Sequence, residues 1–174
     1  HHAWIGGLLE HTLQLMKMAN EILPSYPRLN RDIVLIGLFI HDLGKVEELR
    51  WDTGFQYTRE GNLIGHIARG AMWLEEKAKV AEASMGSALP DGFLTVLQHI
   101  VLSHHGQLEH GAAKLPSTPE AMFVSQLDNL DAQVQTTLDV ARPWEQSVTG
   151  DEAFTERIWS LGTKLYKRDP LSDE

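Results

Sequence analysis

The chain is expected to fold as an all-α helical bundle, with one small hairpin near residues 50–60. Three observations carry that expectation. Apolar residues recur at helical spacing in nearly every segment. At 174 residues and 43% hydrophobic, the chain is long enough to bury a real core. Only seven prolines punctuate it, and no internal repeat or low-complexity tract divides it. Residues 1–168 are therefore read as a single domain and residues 169–174 as a polar C-terminal tail.

Ile5, Leu8, Leu9, Leu13, Leu15, Met16 and Ile22 mark a first helix that ends near Pro24, followed by a loop at Pro24-Ser25-Tyr26-Pro27. Asn30-Arg31-Asp32 can cap a second helix running from Ile33 to about Leu43, with Gly44 as its C-terminal stop. The turn signal Asp52-Thr53-Gly54 lies between aromatic and β-branched residues and places the hairpin or loop. A third helix covers about Leu63 to Ala83 and breaks at Met85-Gly86-Ser87. Pro90-Asp91 opens a fourth, through Leu94, Val96, Leu97, Ile100, Val101 and Leu102 to His104, and Gly106 to Pro119 is a loop. Thr118-Pro119-Glu120 starts a fifth, through Met122, Val124, Leu127, Leu130, Val134 and Leu138 to about Val140, stopped by Arg142-Pro143. An amphipathic segment with Phe154, Ile158, Trp159, Leu161 and Leu165 closes the domain.

Composition excludes several classes of function. There is no cysteine, so disulfides, zinc–thiolate sites and a cysteine nucleophile are ruled out. No stretch of 18 apolar residues exists, so no membrane span is expected. The start His1-His2-Ala3-Trp4 has no basic region of a signal peptide, and a cytoplasmic location is expected. The absence of an initial methionine suggests a piece of a longer protein, with His1-His2 either a tag remnant or ordinary N-terminal residues. The net charge of −9 and pI near 5.4 give no general attraction for nucleic acid. A nucleic-acid substrate would need a local basic groove, a metal centre or another domain; a small phosphorylated substrate would not.

The chemically informative pattern is a series: His11, His41-Asp42, His66, His104-His105 and Asp128. The doublet His41-Asp42 interrupts the apolar run Val34, Leu35, Ile36, Leu38, Phe39, Ile40. Burying two ionisable groups there is costly unless something pairs with them, and a cation suits imidazole nitrogen and carboxylate oxygen together. Neighbours on a helix point about 100° apart, so two adjacent ligands need a helix end. Gly44 supplies one end, and His104-His105-Gly106 repeats the device. His66 stands at the head of the third helix. Asp128 sits mid-helix beside Leu127 and Leu130, with Asp131 a competing candidate or an outer-shell partner on the same face. His99 and His110 are read as ordinary hydrogen-bonded histidines. The donors are nitrogen and oxygen only, which suits Mn, Fe, Mg, Co, Ni or Zn ions. Two ions sharing one carboxylate would use all seven ligands, the arrangement usual for displacement at phosphorus.

These residues resemble the bimetallic branch of the HD-domain phosphohydrolase superfamily, which implies an all-helical bundle hydrolysing phosphate esters. The segments Gly6-Gly7-Leu8-Leu9-Glu10-His11-Thr12, Ile40-His41-Asp42-Leu43-Gly44-Lys45, Gly61-Asn62-Leu63-Ile64-Gly65-His66-Ile67, Leu102-Ser103-His104-His105-Gly106 and Leu127-Asp128-Asn129-Leu130-Asp131-Ala132 are more specific. They resemble the catalytic domain of YhaM-type 3′-to-5′ exoribonucleases over most of the chain, and Phe154-Thr155-Glu156-Arg157-Ile158-Trp159 is similar as well. The resemblance implies a first divalent ion on His11, His41, Asp42 and Asp128. It implies a second on Asp42, His66, His104 and His105, with Asp42 bridging and manganese the foremost metal. It implies that Lys45 meets a phosphate oxygen. Members of that family carry an OB-type nucleic-acid-binding domain before the catalytic one, and the expectation is either that this domain has been trimmed away or that the catalytic domain stands alone.

The expected chemistry is phosphodiester hydrolysis by a water that two metals activate, at the 3′ end of single-stranded RNA or DNA, releasing nucleoside 5′-monophosphates. Asp42 and Lys45 are the residues expected to act in it, although a lysine at a helix end also suits the helix dipole alone. Arg50, Arg59 and Arg69 are candidates for phosphate contacts no better than for surface roles. Trp4, Phe55 and Tyr57 are candidates for base stacking or core. Other readings use the same ligands: a small-nucleotide phosphohydrolase (cyclic nucleotide, cyclic dinucleotide or guanosine polyphosphate), a non-catalytic nucleotide-binding helical domain, or a di-iron oxygenase.

Overall fold

A computed structural model describes residues 4–142, 153–169 and 171; His1, His2 and Pro143 lie outside the described residues, as does most of the expected tail. The chain divides into two compact units, one of residues 2–128 and the other from residue 129 onward.

The first unit is helical. Helix α1 spans Gly7–Ile22, α2 Arg31–Ile40, α3 Lys45–Glu48, α4 Arg59–Leu63, α5 Gly65–Met85 and α6 Phe93–Ser103. Helix α7, Pro119–Ala141, begins in this unit and ends in the second. Strands β1 (Leu49–Trp51) and β2 (Phe55–Tyr57) pair antiparallel, Trp51 opposite Phe55, and form the expected hairpin. Asn30 caps α2 as expected: its side-chain oxygen accepts from Asp32 N at 3.1 Å and Ile33 N at 3.2 Å. Its own backbone N–H donates to Glu120 Oε1 at 3.0 Å, tying the starts of α2 and α7 together.

The core is what the helical spacing selects. Leu15 and Ala19 of α1, Val34 and Leu38 of α2, Ile100 and Val101 of α6, and Ala121 and Val124 of α7 are fully buried. Each large aliphatic side chain buried in this way contributes roughly 1.5–3 kcal/mol. These four helices form the scaffold that fixes the site.

Three expectations need correction. Helix α2 stops at Ile40, earlier than Leu43, and His41 is its C-cap. Gly44 is not the stop: it has φ −59 and precedes α3. A Cβ on Gly44 would collide with the backbone carbonyl of His66, so glycine is required there by close approach of α3 to α5. The third helix begins at Gly65 rather than Leu63, and a short helix the sequence did not suggest, α4, precedes it, with Gly65 at φ 76 breaking the chain between them. In the second unit, the closing amphipathic segment is not helical. Phe154 pairs with Tyr166 and Ile158 with Thr163 in antiparallel bridges, and Gly162 at φ 68 turns the chain between them. Among the described residues no helix is long and apolar enough to cross a membrane.

Candidate metal centre

All seven residues of the series lie in the first unit, and the fold brings them together. Two donor sets form, each with its candidate ligand atoms within 4.8 Å of one another: Asp42, His66, His104 and His105, and separately His11, His41 and Asp42. Asp42 belongs to both. Asp128 flanks the second set, its Oδ1 3.1 Å from His11 Nε2 and 3.9 Å from His41 Nε2. Asp131 is a member of neither set.

The local chain explains the placement. His41 and His104 are the C-caps of α2 and α6, so each doublet falls where the helix releases the backbone. His41 Nδ1 bonds Leu38 O at 2.7 Å, and His104 Nδ1 bonds Val101 O at 2.8 Å. Both carbonyls lie in the last turn of their helix, where carbonyls lack a partner further along it. His105 Nδ1 bonds His110 O at 2.7 Å, so His110 serves through its backbone. His99 is an ordinary partner as expected, its Nε2 accepting from Ser117 N at 2.8 Å. The sequence reading missed Glu48, whose carboxylate takes a fourth imidazole: His66 Nδ1 lies 2.9 Å from Glu48 Oε2. In these four rings Nδ1 is engaged, and Nε2 is left to ligate.

Among the described residues, four buried atoms have no hydrogen-bond partner: His41 Nε2, Asp42 Oδ1, His66 Nε2 and His104 Nε2. They converge, with Asp42 Oδ1 3.4 Å from His66 Nε2 and 3.5 Å from His104 Nε2. Leaving such a group unsatisfied costs about 1–3 kcal/mol each. Imidazole nitrogens converging on a carboxylate oxygen, all without partners, fit a divalent cation and no apolar ligand.

The protonation states fit as well. Burial opposes ionisation of the Asp42 carboxyl, but His104, His41 and Lys45 outweigh it and hold its pKa well below the usual value. Burial likewise opposes ionisation of Asp128, and its bond to His11 and the nearby His41 bring its pKa below the ordinary value. Burial lowers the pKa of His41 and of His105, so both rings are neutral, the form that binds metal. Burial works against the charge on Lys45, but Asp42 raises its pKa; its ammonium lies 2.6 Å from Asp42 Oδ2.

A pH dependence follows. Below the ordinary imidazole value of 6.5, the unfolded chain takes up protons at His41 and His105 that the folded chain refuses. The unfolded state then binds more protons, so stability of the metal-free protein falls as pH drops below 6.5. Asp42 and Asp128 add a second loss below 3.8, since their folded forms stay ionised to lower pH. Thermal midpoints of chelator-treated protein between about pH 8 and pH 5 check this, and a midpoint that does not move across that range contradicts it.

Outside the centre, the three candidate arginines are paired. Arg50 donates to Gln56 Oε1, Arg59 to Glu60 and Arg69 to Glu47. Trp4, Phe55 and Tyr57 are exposed rather than core, and Trp51 and Phe55 meet edge to face at 5.1 Å.

The model of the HD domain family matches residues 8–133. The chain is 39% identical over 166 residues to the 3′-5′ exoribonuclease YhaM of Bacillus pumilus (strain SAFR-032), covering 95% of this chain and 49% of that protein. It is 39% identical over 172 residues to the protein of the same name from Geobacillus sp. (strain WCH70), covering 99% and 50%. With that of Bacillus subtilis (strain 168) it shares 36% over 166 residues, covering 95% and 49%. The chain thus spans about half the length of the curated relatives it matches. No solved structure matches. A helical scaffold, two histidine–aspartate donor sets joined at one carboxylate, and a family match over most of the chain agree: the chain belongs to the HD domain family.

Proposed function

We propose that this domain is a metal-dependent phosphodiester hydrolase of the 3′-to-5′ exoribonuclease type, releasing nucleoside 5′-monophosphates in the cytoplasm. His11, His41, Asp42 and Asp128 hold one divalent ion; Asp42, His66, His104 and His105 hold a second; manganese is the first metal to test. The observation that carries this reading is that Asp42 stands in both donor sets. When bound, such a pair supplies an activated water and Lewis-acid charge neutralisation at phosphorus.

The protein's own residues do the rest. Asp42, kept ionised, faces both positions. The histidines present Nε2 inward because their Nδ1 atoms are tethered. Lys45 has one N–H directed at Asp42, and its side chain is 36% exposed, so further N–H groups are accessible to a phosphate oxygen. The name of the relatives, 3′-5′ exoribonuclease, supports RNA as the polymer. Their greater length leaves room for a further domain, such as an OB-type module, to hold it.

A second reading, hydrolysis of a small nucleotide, is favoured by one observation: the chain carries a net charge of −9, and Arg50, Arg59 and Arg69 are already engaged. Two measurements decide. Elemental analysis of purified protein should find about two ions per chain; protein that binds no metal and gains no activity with Mn²⁺ overturns the mechanism. A panel of single-stranded RNA, single-stranded DNA, cyclic nucleotides and bis(p-nitrophenyl) phosphate should then show 5′-monophosphates released from RNA 3′ ends. Turnover of small nucleotides alone selects the second reading.

A further inference from the structure

Glu48 holds the Nδ1 side of a candidate ligand ring without belonging to either donor set. It ends α3, and its side chain is 11% exposed. Oε1 accepts from the backbone N–H of His66 at 3.1 Å and lies 3.0 Å from its Nδ1, while Oε2 lies 2.9 Å from the same nitrogen. Glu48 is itself fixed through its main chain. Its carbonyl accepts from Thr58 N at 2.9 Å and Thr58 Oγ1 at 3.3 Å, and a Cβ on Gly61 would collide with that carbonyl.

The contrast with the other rings is one of charge. His41, His104 and His105 lean on neutral carbonyls, whereas His66 leans on a carboxylate. The donor sets differ in the opposite sense. The His11–His41 set has two carboxylates, Asp42 and Asp128, at hand. Among the described residues, the His66–His104–His105 set has only Asp42. A carboxylate one imidazole away makes that ring a stronger donor and fixes its tautomer, with Nδ1 carrying the proton and Nε2 the lone pair.

We infer that Glu48 is a positioning residue that supplies the missing negative charge to the His66 position, so that each divalent ion sees two carboxylates. This rests on the two-ion reading above. Without Glu48 the two positions become unequal: the Asp128 side keeps its affinity and the His66 side loses it.

Calorimetric titration of chelator-stripped full chain with Mn²⁺ tests this, comparing wild type with Glu48→Gln, which keeps the shape and removes the charge. Wild type is expected to bind two ions. In Glu48→Gln one event should be unchanged and the other weakened about 10–100-fold. Glu48→Asp, which keeps the charge with a shorter reach, should recover part of that loss. Nitrogen-15 spectra of the metal-free proteins give a readout that needs no ion. The His66 ring should be protonated at Nδ1 in wild type and a mixture of tautomers in Glu48→Gln. Two ions bound by wild type and by Glu48→Gln with unchanged affinities overturn the role of Glu48 alone, as does equal weakening of both events. Fewer than two ions in wild type overturns the two-ion reading and this inference together.

Discussion

Asp42→Asn is expected to abolish metal binding at both positions at once, because Asp42 is the residue the two donor sets share. Asparagine keeps the volume and one oxygen, so the helices need not move, but it cannot supply the anion that draws two cations together. Lewis-acid stabilisation by such ions is worth several kcal/mol, so hydrolysis should fall by at least about 10²–10³-fold. Metal content should drop from about two ions per chain towards none. His105→Ala offers the contrast: His105 belongs to one set only, so one ion should remain. Retention of a full complement of metal by Asp42→Asn would show that Asp42 does not bridge.

Gly44→Ala should be the most damaging single change outside the ligands. The backbone of Gly44 has φ −59, which any residue adopts, so the effect is not conformational strain in the glycine itself. It is a collision: the added Cβ would meet the carbonyl oxygen and carbon of His66. Main chain cannot swing aside as a side-chain tip can, so α5 must lift from α3 and carry His66 away from Asp42. Overpacking of this kind destabilises by about 3 kcal/mol, which for a domain of this size lowers the thermal midpoint by roughly 6–12 °C. Binding of the second ion should weaken with it. Gly54→Ala is the control: nothing stands near its Cβ in the hairpin turn, so its effect should stay within about 0.5 kcal/mol. A Gly44→Ala protein that melts with wild type and binds two ions would refute the packing account.

What was legible in the sequence was whatever is governed locally. Ligands in adjacent pairs need a helix end, and His41-Asp42 and His104-His105 are found at two such ends. The cap at Asn30 and the hairpin turn at Asp52-Thr53-Gly54 depend on neighbours in the chain and were readable for that reason. Even the tethers of His41 and His104 obey a local rule, since each takes the carbonyl three residues back. What was not legible depends on helices crossing. Gly44 reads equally well as a stop or as a point of contact, and only the approach of α5 decides. Glu48 is 18 residues from His66 and looks like any glutamate ending a short helix. The available hint was chemical: a ligating histidine needs an acceptor for its second nitrogen, and no carbonyl rule provides one at a helix head. The closing segment shows recurring apolar residues but no sign of its pairing, because that depends on Gly162 in the left-handed region turning it back on itself.

The four inward atoms that lack hydrogen bonds have a consequence for the life of the protein. An ion that binds only the folded chain stabilises it by an amount set by its free concentration, about 2.7 kcal/mol at a hundredfold excess over Kd. Folding and metal supply are then one equilibrium. The thermal midpoint should climb with added Mn²⁺ and fall with chelator, and a midpoint indifferent to both would break this link. Proteases sample the open form in proportion to its population when opening is fast. Chelator-treated protein is therefore expected to be digested faster by a protease than metal-loaded protein, and equal digestion rates would break the same link.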